Sequence, residues 1–540
     1  MQIGDYLITA IREAGARHVF GIQGDYVLKF YAQLCAGPLT VINTCDEQGS
    51  GFAADAYARM NGFGVVCVTY GVGGFKVVNS TAQAYAELSP VLVISGAPGV
   101  AEREGNPLLH HKVRSFDTQL NVFREMTVAQ AVLDNAETAA AEIRRVIDAI
   151  QRTKRPGYIE LPRDMVQVEA NAHRSPAKEQ PTSDPIVLAE ALSDVMTMLA
   201  AAQRAIVIAG IGIHRFGLQD AFLKFIKRSG LPFVSSILSK SVIAENHPRF
   251  LGVYAGAMTP DAIREAVEGA DCVIAVGALV TDFNTGMFTS TINLGQTVAL
   301  HHDGLHVKHH HYADLGMKEF LEAMTAALPE TPSSPAVPAG RDVPLFVPEG
   351  QRRITMARLM ACLNTFLDDT MTVIAEPGDP LFGSLDLIVR EQMGFLSPAY
   401  YASLGFAVPG AVGIQLAVPE RRPLALVGDG SFQMTGMELS TVARYGLTPI
   451  VMVLNNGGYG TFRSMVDGAF NDLHPWRYAD LPGIIGAGQG YTVTTEDELV
   501  AALAAAKQNS SSLALIEVRL DPYDISSRLR TLTDKLKNRV

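Results

Sequence analysis

The chain has 540 residues, 48% of them apolar and 18% charged, and a net charge of −11. That length exceeds what one hydrophobic core accommodates, so about three domains are expected. The acidic balance argues against a nucleic-acid polyanion or an anionic membrane surface as partner, and leaves a small anionic substrate open.

In chain order, short β-branched runs alternate with longer helical patterns. The first third carries LTVINT (39–44), GVVCVTY (64–70), PVLVISG (90–96) and GYIELP (157–162). A Pro- and Ser-rich stretch at 171–185 reads as a linker. The middle carries AIVIAG (205–210), DCVIAVGA (271–278) and QTVALHH (296–302), and a second such stretch follows at 329–350. The last third carries MTVIAE (371–376), PLALVGDG (423–430), PIVMVLNN (449–456) and LALIEVRL (513–520). Buried strands alternating with amphipathic helices predict an α/β protein of three doubly wound parallel-sheet domains, at 1–175, 185–330 and 350–540. Ligands in such sheets bind beyond the C-terminal strand ends.

Five scattered cysteines, Cys35, Cys45, Cys67, Cys272 and Cys362, form no CxxC pair and read as reduced thiols. No apolar run approaches the ~18 residues of a membrane span. The opening residues MQIGDYLITAIREAGA lack a basic run followed by an apolar one. A cytoplasmic protein is expected.

Two polar clusters fall at strand ends in the last third. One is Gly428-Asp429-Gly430-Ser431, followed by a helix predicted over 432–445. The other is Asn455-Asn456-Gly457-Gly458. Asp429 and Asn456 offer hard oxygen ligands suited to Mg²⁺. The glycines and the helix N-terminus suit a phosphate. A strand ending in GDG is by itself a common turn. With NN at the end of the next strand, Asp429 and Asn456 lying 27 residues apart, the pattern resembles the diphosphate–magnesium motif of thiamine diphosphate enzymes. The resemblance implies Asp429, Asn456 and the Gly458 carbonyl as Mg²⁺ ligands. It implies Gly428, Gly430, Ser431 and Tyr459 as further cofactor contacts.

In the first third, Glu47 lies in NTCDEQGSGFAADAYARMNG. A glutamate at a helix N-terminus is commonplace, since the helix dipole favours it. The segment nevertheless resembles the family's glutamate-plus-helix motif, in which the carboxylate hydrogen-bonds the pyrimidine ring nitrogen of the cofactor. The first domain is then the pyrimidine-binding one and the last the diphosphate-binding one. The resemblance further implies that the two meet across a subunit interface, with a homodimer as the minimal active unit and a homotetramer as the expected assembly.

FGIQGDY and LLHHKVRS resemble the 2-oxo acid decarboxylase branch, which includes pyruvate, indolepyruvate and phenylpyruvate decarboxylases. They imply proton-relay roles for Asp25, His110 and His111, groups suited to such transfers near neutral pH. Gln23 departs from the proline usual in that turn. The branch's pattern also maps a bulky residue beneath the cofactor to Leu404, a backbone acceptor to Ala402, and a pyrimidine contact to Gly378. Six residues after Asn456, where pyruvate and indolepyruvate decarboxylases carry a glutamate, this chain has Phe462. Thr461 and Phe462 are therefore expected beside the substrate side chain. Asp282, in LVTDFNTGMF, is a candidate replacement acid, or else the cap of its own turn.

The expected activity is non-oxidative decarboxylation of a small-molecule 2-oxo acid to an aldehyde and CO₂, with phenylpyruvate or indolepyruvate preferred. Pyruvate or branched-chain acids, a carboligase, and a non-catalytic binding protein are the alternatives. HHDGLHVKHHH (301–311) has six histidines but no zinc-site pattern. Gly210, Gly212 and Gly217 lack the acidic partner of a dinucleotide turn.

Overall fold

A computed structural model describes residues 1–171, 183–329 and 345–537. The two stretches read as linkers lie largely outside those residues. Three sheets organise the rest, and each of the eleven apolar runs named above contains a strand.

The first sheet comprises β1 (His18–Gly21), β2 (Thr40–Asn43), β3 (Gly64–Val68), β4 (Val91–Ala97), β5 (Gln130–Val132) and β6 (Gly157–Pro162). Its order is β2-β1-β3-β4-β6-β5 and every pairing is parallel. The second comprises β7 (Ala205–Ala209), β8 (Phe233–Ser235), β9 (Phe250–Val253), β10 (Cys272–Val276), β11 (Thr297–His301), β12 (Gly304–Val307) and β13 (His310–Tyr312), ordered β13-β12-β11-β10-β7-β8-β9. The third comprises β14 (Met371–Ala375), β15 (Phe395–Leu396), β16 (Arg422–Gly428), β17 (Ile450–Asn455), β18 (Gln489–Val493) and β19 (Ala514–Arg519), ordered β15-β14-β16-β17-β19-β18 and wholly parallel.

The middle sheet departs from the purely parallel expectation. Its His-rich segment turns back twice, so that β11, β12 and β13 pair antiparallel at one edge. His306 and His311 face each other across that ladder with rings stacked 4.3 Å apart. Gly210 and Gly212 also have a structural explanation. A Cβ on Gly210 would stand 2.2 Å from the backbone of Ala278, and one on Gly212 would stand 2.8 Å from Gly277. These glycines let the β7 and β10 ends touch. Among the described residues, no helix is long and apolar enough to cross a membrane.

The first and third sheets share one hydrophobic core through two helices. Glu47–Asn61 carries small residues at Gly49, Ser50, Gly51, Ala53, Ala54, Ala56 and Ala58 and is buried from Gly49 to Arg59. It packs against Ala407–Ala417, buried from Ala407 to Ile414. Gly413 is required there, because a Cβ would come within 2.1 Å of the Ala53 carbonyl. Phe52 and Phe406 meet edge-on beside them, 5.8 Å between ring centres. A buried ion network crosses the same junction. Arg59 grips Asp55 through two hydrogen bonds of 2.8 Å and Glu87 through one of 2.7 Å. It also donates to the Ser397 carbonyl, and Glu87 accepts the amides of Tyr400 and Tyr401.

The helix predicted over 432–445 starts earlier and is broken. It runs Asp429–Thr435, gives way to a 3-10 turn at Gly436–Glu438, and resumes at Leu439–Arg444. Gly436 sits against the ring of Phe432, where a Cβ would come within 2.5 Å.

Candidate active site

In the first sheet the strand order switches direction between β1 and β3, and the crevice beyond the strand ends at such a switch is where a ligand fits. In the third sheet the switch lies between β14 and β16. A cavity of roughly 380 Å³ opens there. It is lined by Gly378, Ala402, Leu404, Gly428, Asp429, Gly430, Ser431, Asn456, Gly458, Tyr459, Thr461 and Phe462, all of them expected from the sequence.

Its polar end is built by the two strand-end turns. Asp429 is 1% exposed and begins the helix after β16. Its carboxylate accepts the amides of Gly430 at 2.8 Å and Gly458 at 2.9 Å. Burial pushes its pKa up to about 6 against those donors. Gly457 and Gly458 have φ of 76° and 154°. A Cβ on Gly458 would stand 2.0 Å from the Asn471 carbonyl, so only glycine closes this turn onto Asp429. No atom lies within 4 Å of where a Cβ on Gly428 would be. One carboxylate, one carboxamide, the Gly458 peptide oxygen, which accepts the Gly460 amide at 2.9 Å and keeps a second lone pair, and a helix N-terminus thus surround open space. That donor set fits a diphosphate held through a hard divalent cation.

The cavity also has an apolar part. Phe283, Phe462, Met465, Leu532 and Leu536 line it. Between the two ends, the turn bearing Ala402 and Leu404 is held by Glu376, which sequence reasoning missed. Glu376 is fully buried and accepts the amides of Gly405, Phe406 and Ala407. It caps the N-terminus of Ala407–Ala417, and burial pushes its pKa up to about 7. Ala402 has φ of 59°, a left-handed conformation that costs a non-glycine residue energy. Asp379, also missed, lines the cavity and accepts the Ser526 amide and hydroxyl at 3.0 and 2.5 Å. That contact ties helix Ser527–Leu536, carrying Leu532 and Leu536, to the apolar wall. Asp282 does not line the cavity. Its carboxylate accepts the next amide, that of Phe283, and it is the Phe283 ring that faces inward.

Glu47, Asp25, His110 and His111 gather elsewhere, at the C-terminal rim of the first sheet. Asp25 follows β1, and its carboxylate lies 2.8 Å from His110 Nε2. The His110 ring stacks on Tyr26 at 4.7 Å and meets His111 edge-on at 4.8 Å. His111 has φ of 68° and its Nδ1 lies 3.2 Å from the Tyr70 carbonyl. Gly71 makes room for it, since a Cβ there would come within 2.6 Å of the His111 carbonyl. Glu47 follows β2, with Asp46 as helix N-cap accepting the Gln48 amide at 2.8 Å. Lys76 Nζ donates to the Glu47 carboxylate at 2.8 Å and also reaches Asp46. Among the described residues of one chain, none of these four lines the cavity of the third sheet.

The chain matches three family models, with thiamine pyrophosphate an older name for thiamine diphosphate. They are the N-terminal TPP binding domain of thiamine pyrophosphate enzymes over residues 1–122, the central domain over 192–328, and the C-terminal TPP binding domain over 383–518. Indole-3-pyruvate decarboxylase of Azospirillum brasilense is 35% identical over 537 residues, covering 98% of this chain and 97% of that protein. Alpha-keto-acid decarboxylases of Mycolicibacterium paratuberculosis and Mycobacterium leprae are each 32% identical. They cover 97% and 98% of this chain, and 94% and 95% of their own lengths. Domain order, the strand-end motifs and this full-length similarity agree: the chain belongs to the family of thiamine-diphosphate-dependent 2-oxo acid decarboxylases.

Proposed function

We propose that this protein decarboxylates an aromatic 2-oxo acid, phenylpyruvate or indolepyruvate, to the corresponding aldehyde and CO₂. The observation that carries the substrate class is the apolar wall. Phe462 occupies the position of the branch's glutamate and is joined by Phe283, Met465, Leu532 and Leu536, a surface suited to an aryl side chain. Indole-3-pyruvate is also the substrate named for the Azospirillum brasilense relative.

Thiamine diphosphate, when bound, supplies the electron sink for the charge left as CO₂ departs. The rest is the protein's part. Asp429, Asn456 and the Gly458 carbonyl would hold Mg²⁺, and Gly428, Gly430, Ser431 and Tyr459 would contact the diphosphate. Gly378, the Ala402 carbonyl and Leu404 would hold the aminopyrimidine, and Glu47 would hydrogen-bond its ring nitrogen. Asp25, His110 and His111 would hold and move the protons that the reaction takes up and gives back. Their mutual contacts at 2.8 to 4.8 Å support a shared relay. Thr461 and Phe462 border the substrate, and Asp282 acts on that border through Phe283.

The separation of Glu47 from the cavity within one chain supports a homodimer as the active unit, with two such dimers forming a tetramer. Domains at 1–175, 185–330 and 350–540, a cytoplasmic compartment and the absence of a nucleic-acid partner complete the reading.

The test is steady-state release of CO₂ and aldehyde with Mg²⁺ and thiamine diphosphate. Phenylpyruvate, indolepyruvate, pyruvate and 4-methyl-2-oxopentanoate are compared. An aromatic acid is expected to give the highest kcat/KM with one aldehyde per CO₂. A preference for pyruvate overturns the substrate assignment, and CO₂ without matching aldehyde points to carboligation.

A further inference from the structure

Glu438 is a buried carboxylate with no cationic hydrogen-bond partner among the described residues. It is 2% exposed and ends the 3-10 turn that interrupts the helix after Asp429. Its oxygens accept the Cys45 amide at 3.1 and 3.2 Å, the Asp46 amide at 3.1 Å and the Thr441 hydroxyl at 2.5 Å. Burying a carboxylate is costly unless hydrogen bonds compensate. Here two of the compensating donors come from another domain, and they are the amides of the two residues immediately before Glu47. The helix that Glu47 begins also gives up a side chain to admit this carboxylate. A Cβ on Gly49 would stand 2.1 Å from Glu438 Oε1. On the other side of the same turn, Lys76 grips the Asp46 and Glu47 side chains.

We propose that Glu438 is a positioning residue for Glu47, fixing through the Cys45 and Asp46 amides the turn that presents Glu47 to the pyrimidine ring of the cofactor. The inference rests on the assignment of Glu47 as the group that hydrogen-bonds the ring nitrogen. The consequence is specific. Loosening the turn weakens one hydrogen bond to the cofactor and leaves the diphosphate end untouched. A group that merely held two domains together would weaken every part of cofactor binding alike.

The full-length protein is compared with Glu438→Gln, Glu47→Gln and the double variant. Calorimetry with Mg²⁺ gives the affinity for thiamine diphosphate and for its analogue with CH in place of the pyrimidine ring nitrogen. Turnover is measured at saturating cofactor. Glu438→Gln is expected to lower thiamine diphosphate affinity and kcat by about ten- to a hundredfold, as a misplaced active-site group does. Affinity for the analogue should stay within about twofold, and Glu438→Gln should add nothing to Glu47→Gln. Gly49→Ala, which crowds the carboxylate from the helix side while leaving Glu438 in place, should reproduce the selective loss if Glu438→Gln folds poorly. Equal loss for both cofactors, or a full additional loss in the Glu47→Gln background, overturns the proposal while leaving the role of Glu47 standing. Unchanged affinity and turnover in Glu47→Gln alone overturns the role of Glu47, and the proposal with it.

Discussion

Glu376 shows how one buried carboxyl can mark a site that spacing does not reveal. Its pKa is raised from 4.5 to about 7 by burial. A carboxyl raised on folding contributes stability that is fully present below its unfolded pKa and is lost as pH rises through the folded one. The free-energy difference between wild type and Glu376→Gln should therefore shift against wild type between about pH 4.5 and 7, by on the order of 3 kcal/mol. Urea unfolding at several pH values measures it, and a difference constant across that window would contradict the assignment. At the apolar wall, Phe462→Ala should lower kcat/KM for an aromatic acid by roughly ten- to a hundredfold, the scale of one lost hydrophobic contact. Equal loss for pyruvate would show that Phe462 does not face the substrate ring. Asp429 and Asn456 were legible because their chemistry is written into local turns of glycine and oxygen ligands. Glu376 was read only as the end of a strand, since its partners lie about thirty residues onward in a helix whose docking the sequence does not state. Asp379 was hidden likewise, its partner Ser526 being 147 residues away.

At the scale of elements, what could be read was what burial makes continuous. β3, β4, β10 and β16 are covered on both faces, so they appear as apolar runs. β5, β8 and β15 are two or three residues long, too short to carry a pattern, and β18 is an edge strand with mostly polar, exposed residues. The predicted helix over 432–445 failed at Gly436, where packing on Phe432 and the demand for Glu438 at Cys45 outweigh helical continuity. The ion network of Arg59, Asp55 and Glu87 belongs to this scale, because it joins helix Glu47–Asn61 to the segment 397–401 that leads into Ala402. All three side chains are at most 2% exposed. Arg59→Met would strand two buried carboxylates and should cost about 3–5 kcal/mol of stability. Chemical denaturation tests this, and a loss below about 1 kcal/mol would show that the carboxylates find other partners or bind protons at little cost.

At the scale of the molecule, the two halves of the proposed site lie on different sheets, and among the described residues of one chain the first half does not line the cavity of the second. The rim of the first sheet carries Glu47, Asp25, His110 and His111, and the switch of the third carries Asp429 and Asn456. Apolar side chains stand exposed near both, among them Val72 at 54% and Met437 at 55%. Their burial is expected in the proposed dimer. In the proposed two-fold dimer the same surface on each chain would meet its copy, and each site would take one half from each subunit. The arrangement has a quantitative consequence. A Glu47→Gln chain and an Asp429→Ala chain are each expected to be inactive alone. Unfolded together and reassociated at equal concentration, half of the dimers are mixed. In each mixed dimer one site receives intact Glu47 from one chain and intact Asp429 from the other, while its second site carries both defects. Recovery of about one quarter of wild-type activity is expected. If both halves of a site came from one chain, no reassortment could restore an intact site, and the mixture would stay as inactive as its components.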